Sequence, residues 1–254
     1  MPDLMCRFSR DWLDAADAAV CDEIMTPGYR VEIGGIVLDG RGAYVAATMG
    51  QLQDFPGLRL VVHDFAWNGE SAMLRFTEHG PSRRHDGRVA AWRGIGLFWA
   101  EGGRLVRNVT EEDYHSRREQ LAVGIPDELE PALADPWSIP AAPRDAVLEA
   151  EVAELLVAGA HRTGGGVRFD DDGTEPASLL DIAETRVVDV LSAGESVGVR
   201  ILETGVHLGG LGLPEAAHGR TGTLSSAGLL QRTVSGLCGH IVQDRAGLRR
   251  ALAR

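Results

Sequence analysis

The chain has 254 residues, 44% of them hydrophobic, and a formal net charge of −12, enough for one or two ordinary cores. Its 25 cationic residues are all arginine and form no basic stripe, which argues against nucleic acid and anionic membranes as partners. The absence of lysine excludes Schiff-base catalysis, pyridoxal phosphate attachment and the lysine of a phosphate-binding P-loop.

Apolar spacing predicts a helix over Trp12–Met25, stopped by Thr26-Pro27-Gly28. Tyr29–Val37 alternates loosely, as a strand does, and Gly40–Leu52 reads as a helix. Strand-like runs follow at Leu58–Trp67, Ser71–His79, Arg88–Ala100 and Arg104–Thr110, with hairpin turns at Gly69-Glu70 and Gly102-Gly103. Tyr114–Leu121 reads as a closing helix. Five prolines between Ala122 and Pro143 block helix and central strand, so this segment is a linker, with Trp137 expected to pack back onto a domain. A second series begins with a helix over Arg144–Ala158 and a glycine-rich turn at Gly164–Gly166. A brief helical stretch near Ala177–Ile182 precedes strands at Thr185–Leu191, Ser196–Thr204, Arg220–Thr233 and Cys238–Val242. Helices followed by a meander of strands is an α+β pattern.

The second series repeats the first. Asp64, Gly69, Glu70, Ser71, Arg75, Glu78 and Gly80 align without a gap to Asp189, Gly194, Glu195, Ser196, Arg200, Glu203 and Gly205. Gly87-Arg88 then matches Gly219-Arg220, Gly96-Leu97 matches Gly228-Leu229, and Asp113 and Leu121 match Asp244 and Leu252. Three units are therefore expected: a complete domain over 1–123, a proline-rich linker over 124–143, and a shortened repeat over 144–254.

In this order of elements both halves resemble the SnoaL-like polyketide cyclase (ester cyclase) family, part of the larger group of nuclear transport factor and ketosteroid isomerase. The first half resembles it at LDGRGAYVAA, DFPGLRLVVHDF and GGRLVRNVTEEDYHSRREQL. The second does so at ETGVHLGGLGLPEAAHGRTGTLSSAG, where Gly205, His207, Gly209, Pro214, Gly219 and Arg220 follow the family's pattern. The resemblance implies two tandem cystatin-like cones. Each is a curved antiparallel sheet wrapped by helices around an apolar pocket, and the pair forms a pseudo-dimer in one chain. It also implies a catalytic carboxylate at the end of the last strand, at Asp113 and, in the repeat, Asp244.

Asp113 shares one strand face with Val109 and Glu111. In an apolar pocket its pKa would rise, and it could remove a proton next to a carbonyl. The structural alternative is a helix N-cap, a position that favours Asp. Asp244 with His240 on the same face is the matching acid–base pair, weighed equally against a solvated strand end. His207 stands at the family's Gly-x-His, beside the pocket, and His79 is its counterpart in the first half. Arg75 and Arg200 are expected to face outward. His63-Asp64 and His85-Asp86 are expected to form no dyads, because alternation separates sequence neighbours. Asp170-Asp171-Asp172-Gly173 lacks the later glutamate of a calcium loop and reads as a solvated turn. Cys6, Cys21 and Cys238 have no metal-ligand spacing and read as plain thiols.

The expected activity is cofactor-independent: proton abstraction alpha to a carbonyl, then intramolecular aldol closure or isomerisation of a hydrophobic substrate of polyketide type. An epoxide hydrolase, epoxide-opening cyclase or dehydratase is the first alternative. It needs two acids in one pocket, for example Asp113 with Asp39 or Glu111. A non-catalytic binding or scaffold protein is the second, and one catalytic domain with one structural domain is the expected arrangement. No cofactor, metal, nucleic acid or membrane partner is expected. Further dimerisation is open, and with no secretory pattern at the N-terminus a cytoplasmic location is expected.

Overall fold

A computed structural model of the chain describes residues 1–163, 165–169 and 173–254. The Asp170-Asp171-Asp172 turn and Gly164 lie outside the described residues. The first half runs α1 (Pro2–Arg7), a wide helical turn at Phe8–Asp14, α2 (Val20–Ile24), β1 (Met25–Ile33), β2 (Ile36–Asp39), α3 (Arg41–Asp54), β3 (Arg59–Trp67), β4 (Ser71–Pro81), β5 (Val89–Glu101), β6 (Arg104–Glu112) and α4 (Tyr114–Val123). The second runs α5 (Ala146–Val157), α6 (Ala160–Thr163), β7 (Val167–Phe169), α7 (Pro176–Leu179), β8 (Leu180–Ala193), β9 (Ser196–His207), β10 (Thr221–Thr233), β11 (Gly236–Gln243) and α8 (Arg245–Leu252).

Two sheets result, ordered β2-β1-β6-β5-β4-β3 and β7-β11-β10-β9-β8. Apart from β2 the orders correspond strand for strand. Neither sheet is purely antiparallel, because β1 runs parallel to β6 and β7 parallel to β11. The helix expected over Trp12–Met25 is broken instead: Ala16 takes a positive φ of 56°, and only Val20–Ile24 is α-helical beyond it. The helix ends at Ile24, ahead of the expected stop, and Pro27 lies inside β1, where the ladder to β6 shifts register between Met25 and Arg30 and no N–H is needed. The linker lies along the edge of β3. Leu133 N–H donates to Val62 O (2.7 Å), Ala142 N–H to Trp67 O (3.0 Å), and Trp137 packs edge-on against Phe65.

Each sheet has one face toward its own helices and one toward the other sheet. Met73, Leu97, Val109 and Ile95 of the first sheet meet Leu191, Ala193, Ala227 and Val242 of the second. The sheets approach closely at Gly198, where a Cβ would stand 2.5 Å from Leu97 Cδ2. Arg75 and Arg200 do face away from the cones, yet both are buried or nearly so between the sheets. Arg75 is paired with Asp64 (2.5 Å) and Glu130 (2.8 Å), and Arg200 with Glu32 (2.5 Å). A buried guanidinium requires such partners.

Candidate active site

The first cone encloses a cavity of about 220 Å³. Tyr44, Ala47, Thr48 and Gln51 of α3 line it at helical spacing, so one face of that helix forms a wall. Leu74, Phe76 and Glu78 of β4 and Asn108, Thr110 and Glu112 of β6 form the opposite wall. Gly96 on the inner face of β5 keeps this wall low: a Cβ there would stand 2.6 Å from the Phe98 ring and 2.9 Å from Thr110 Oγ1.

Two acids, Glu78 and Glu112, end on this largely apolar surface, and their carboxyl groups are hydrogen-bonded to each other. Such a bond requires a proton on one of them. Glu112 accepts from Trp92 Nε1 (2.8 Å) and is hydrogen-bonded to Tyr114, while Glu78 accepts from Gln51 Nε2 (2.7 Å). Burial pushes Glu78 well above the usual carboxylate range, and the charge of Glu112 adds to the effect. Burial raises Glu112 less, because it is opposed by Trp92, Arg117, Tyr114 and Glu78. Arg117 sits over the rings of Tyr114 (4.3 Å), Trp92 (4.8 Å) and Phe55 (5.2 Å), behind the acids. Both carboxyls are pushed toward the protonated form, and the one cation beside them, Arg117, favours a single charge on the pair.

None of the five expected site residues lines this cavity. Asp113 is fully buried, but as the N-cap of α4: it accepts from Ser116 N–H (2.9 Å) and pairs with Arg245 of the second domain (2.5 Å). Asp244 caps α8 in the same way, accepting from Gly247 N–H (2.7 Å). His79 is the outward neighbour of Glu78 and lies near Asp14 and Arg59. His207 is buried, its Nδ1 bonded to Ala217 O (3.1 Å) and its ring edge-on to His218. His240 lines a separate cleft between the domains with Asp64 and Arg75, and burial pulls its pKa to about 4. Four strand residues, about 13 Å, separate it from Asp244, so the two form no acid–base pair. Asp39 is exposed on β2, and Glu111 points between the domains. His63 and Asp64 do not separate by alternation: a bulge in β3 between Val62 and Asp64 turns both to one face of β4, where His63 bonds Thr77 (2.7 Å) and Asp64 bonds Arg75 (2.5 Å).

The second cone is packed with side chains. Val197, Val199, Ile201, Leu230, Ile241 and Phe169 fill one part, and Leu179, Leu224, Leu248 and Leu252 another. Glu203, the match of Glu78, is ion-paired with Arg162 and hydrogen-bonded to His161 (3.1 Å). The position of Glu112, one before the capping Asp, is Gln243, whose amide donates to Thr174 O (2.6 Å). The repeat thus lacks the carboxyl pair. Among the described residues no group of three His, Cys, Asp or Glu could hold a metal, and no helix is long and apolar enough to cross a membrane.

Between the domains lies a second acid pair. Glu111 accepts from Ser225 Oγ (2.6 Å) and from Gly34 N–H (3.1 Å). Burial, then the charge of Asp244, push Glu111 up to about 8. Its stabilising contribution is complete below the unfolded value of about 4.3 and disappears as the pH rises through 8. Glu111→Gln is therefore expected to raise Tm over the parent at pH 9, with the gap closing at pH 5. Thermal scans at the two pH values check this, and a gap that widens at pH 5 contradicts it.

Residues 7–108 match the family described as SnoaL-like domain. The match lies within the first half of the chain, whose α+β cone agrees with it. Three solved structures are similar over about half the chain. A candidate SnoaL-like polyketide cyclase of Jannaschia sp. CCS1 is 20% identical, covering 44% of this chain and 83% of its own (TM-score 0.41). An LEH-like epoxide hydrolase of M. tuberculosis is 15% identical, covering 48% and 84% (0.41). A protein of ketosteroid isomerase-like fold from Catenulispora acidiphila DSM 44928 is 12% identical, covering 52% and 99% (0.44). No curated protein matches the chain.

Proposed function

We propose that the first domain is a cofactor-independent acid–base enzyme of the polyketide cyclase type, and that the second is its built-in structural partner. The observation that carries this reading is the Glu78–Glu112 pair, two buried and mutually bonded acids on the wall of an apolar cavity. Glu112, as carboxylate, takes a proton alpha to a substrate carbonyl. The enolate carbon attacks a second carbonyl carbon of the same molecule. A C–C bond forms, the C=O π bond breaks, and the alkoxide takes the proton of Glu78. The proton now on Glu112 returns to Glu78 through their direct hydrogen bond, which restores the starting state without solvent. The tandem partner reading rests on the filled second cone, the ion-paired Glu203 and Gln243.

The same pair favours one other reading, epoxide opening, which needs two acids in one pocket: Glu112 would deprotonate water while Glu78 protonates the epoxide oxygen. The readings separate with two probes. For the first, 2-tetralone, an apolar bicyclic ketone, is incubated in D₂O and deuterium at C1 is followed by NMR. Wash-in well above the buffer rate supports enolisation. Absence of wash-in, together with ¹⁸O uptake from water into styrene oxide, replaces it with epoxide opening.

A further inference from the structure

Of the side chains lining the first cavity, one is cationic, and it belongs to the other domain: Arg250, in the last turn of α8. Its Nη2 donates to Gly34 O (2.6 Å), in the turn between β1 and β2, and this holds the guanidinium at the cavity mouth beside Ile33 and Ile36. Arg250 and Ile36 are exposed, whereas Glu78 and Glu112 are buried, so the cation stands at the mouth of the cavity and the acids on its inner wall. Arg250 makes no ion pair among the described residues. Asp244, the acid nearest in effect, feels its charge but is held by Gly247 N–H. A guanidinium carries five N–H donors in a planar fork. A single bond to Gly34 leaves most of that fork open at the cavity mouth, between the apolar Ile33 and Ile36 and the Asp244 carboxylate behind the Gly34-Gly35 turn, in a protein whose overall charge repels anions.

We propose that Arg250 is a specificity-determining residue: it receives a carboxylate carried by an apolar substrate, whose reacting carbonyl then lies at Glu78 and Glu112. This rests on the acid–base reading of the first cavity. The planar fork matches a carboxylate with two parallel hydrogen bonds, and the apolar side chains of Ile33 and Ile36 beside it strengthen them. The second domain is then more than a scaffold, because it supplies the group that selects and orients the substrate.

Binding of 2-naphthoate and of its neutral isostere 2-naphthamide is measured by calorimetry at pH 7, for the parent, Arg250→Met and Arg250→Lys. The parent is expected to prefer naphthoate on the order of tenfold or more, the size of a charge-assisted hydrogen bond. Arg250→Met is expected to abolish the preference, chiefly by weakening naphthoate, and Arg250→Lys to retain part of it. Equal binding of the two probes by the parent, or a preference that survives in Arg250→Met, overturns the proposal. Binding of neither probe overturns it together with the cavity reading. A naphthoate preference without 2-tetralone exchange leaves the carboxylate site standing and removes the chemistry.

Discussion

Glu112→Gln is expected to slow deuterium wash-in at C1 of 2-tetralone by roughly 10²- to 10⁴-fold, the usual contribution of a positioned general base. Gln has the same shape, and its amide oxygen still accepts from Trp92 Nε1, so fold and Tm should change little. Glu78→Gln tests the other half of the pair. A Gln amide can still hydrogen-bond the Glu112 carboxylate but has no proton to give in the reaction. Wash-in should therefore survive far better in Glu78→Gln than in Glu112→Gln, while net ring closure of a diketone is lost in both. The pH profile follows from the same pair. Both carboxyls lie above the usual range, so the parent loses its base as pH falls and its acid as pH rises, giving a bell. Glu78→Gln should keep only the acid limb. Wash-in at the parent rate in Glu112→Gln would sink the acid–base assignment.

The cone, the tandem sheets and the packing of Trp137 were legible because they rest on periodicity, turns and repetition. The proposed site lies one residue from the expected one on each strand, for one physical reason. The sequence grouping of Val109, Glu111 and Asp113 on one face of β6 is right, but that face meets the second sheet. Alternation shows which residues share a face, and a strand buried on both faces gives no cue to which face holds the cavity. On β6 the apolar Val109 lies on the same parity as Asp113 and packs against the second sheet, and the polar Asn108, Thr110 and Glu112 point into the cone, the reverse of the ordinary expectation. A cue was present in the repeat itself. Glu78 recurs as Glu203, but Glu112 faces Gln243 in the comparison, a carboxylate kept in one copy only. Arg250 carried no cue, since contact between the end of one domain and the first turn of the other is set by docking.

Arg245→Met is expected to cost about 3–5 kcal/mol of stability, the penalty for stranding a buried charge. Asp113 is 0% and Arg245 2% exposed, so neither solvent nor salt can stand in for the lost partner. Met fills most of the volume, and Asp113 keeps its bond from Ser116 N–H, which separates the ion pair from the helix cap. Asp113→Asn in the same background removes the stranded charge and should recover much of the loss, whereas two independent effects would add. Chemical denaturation of the parent, the two single variants and the double variant measures the coupling. The effect should extend into the cavity. Asp113 is flanked by Glu112 and Tyr114, both cavity residues, so the bond to Arg245 fixes the end of β6 where the proposed base stands. A loss in Arg245→Met of 2-tetralone exchange that is restored together with stability in the double variant would show the second domain holding the first one's catalytic wall. A drop below about 1 kcal/mol, with exchange unchanged, would mean that the wall stands on its own.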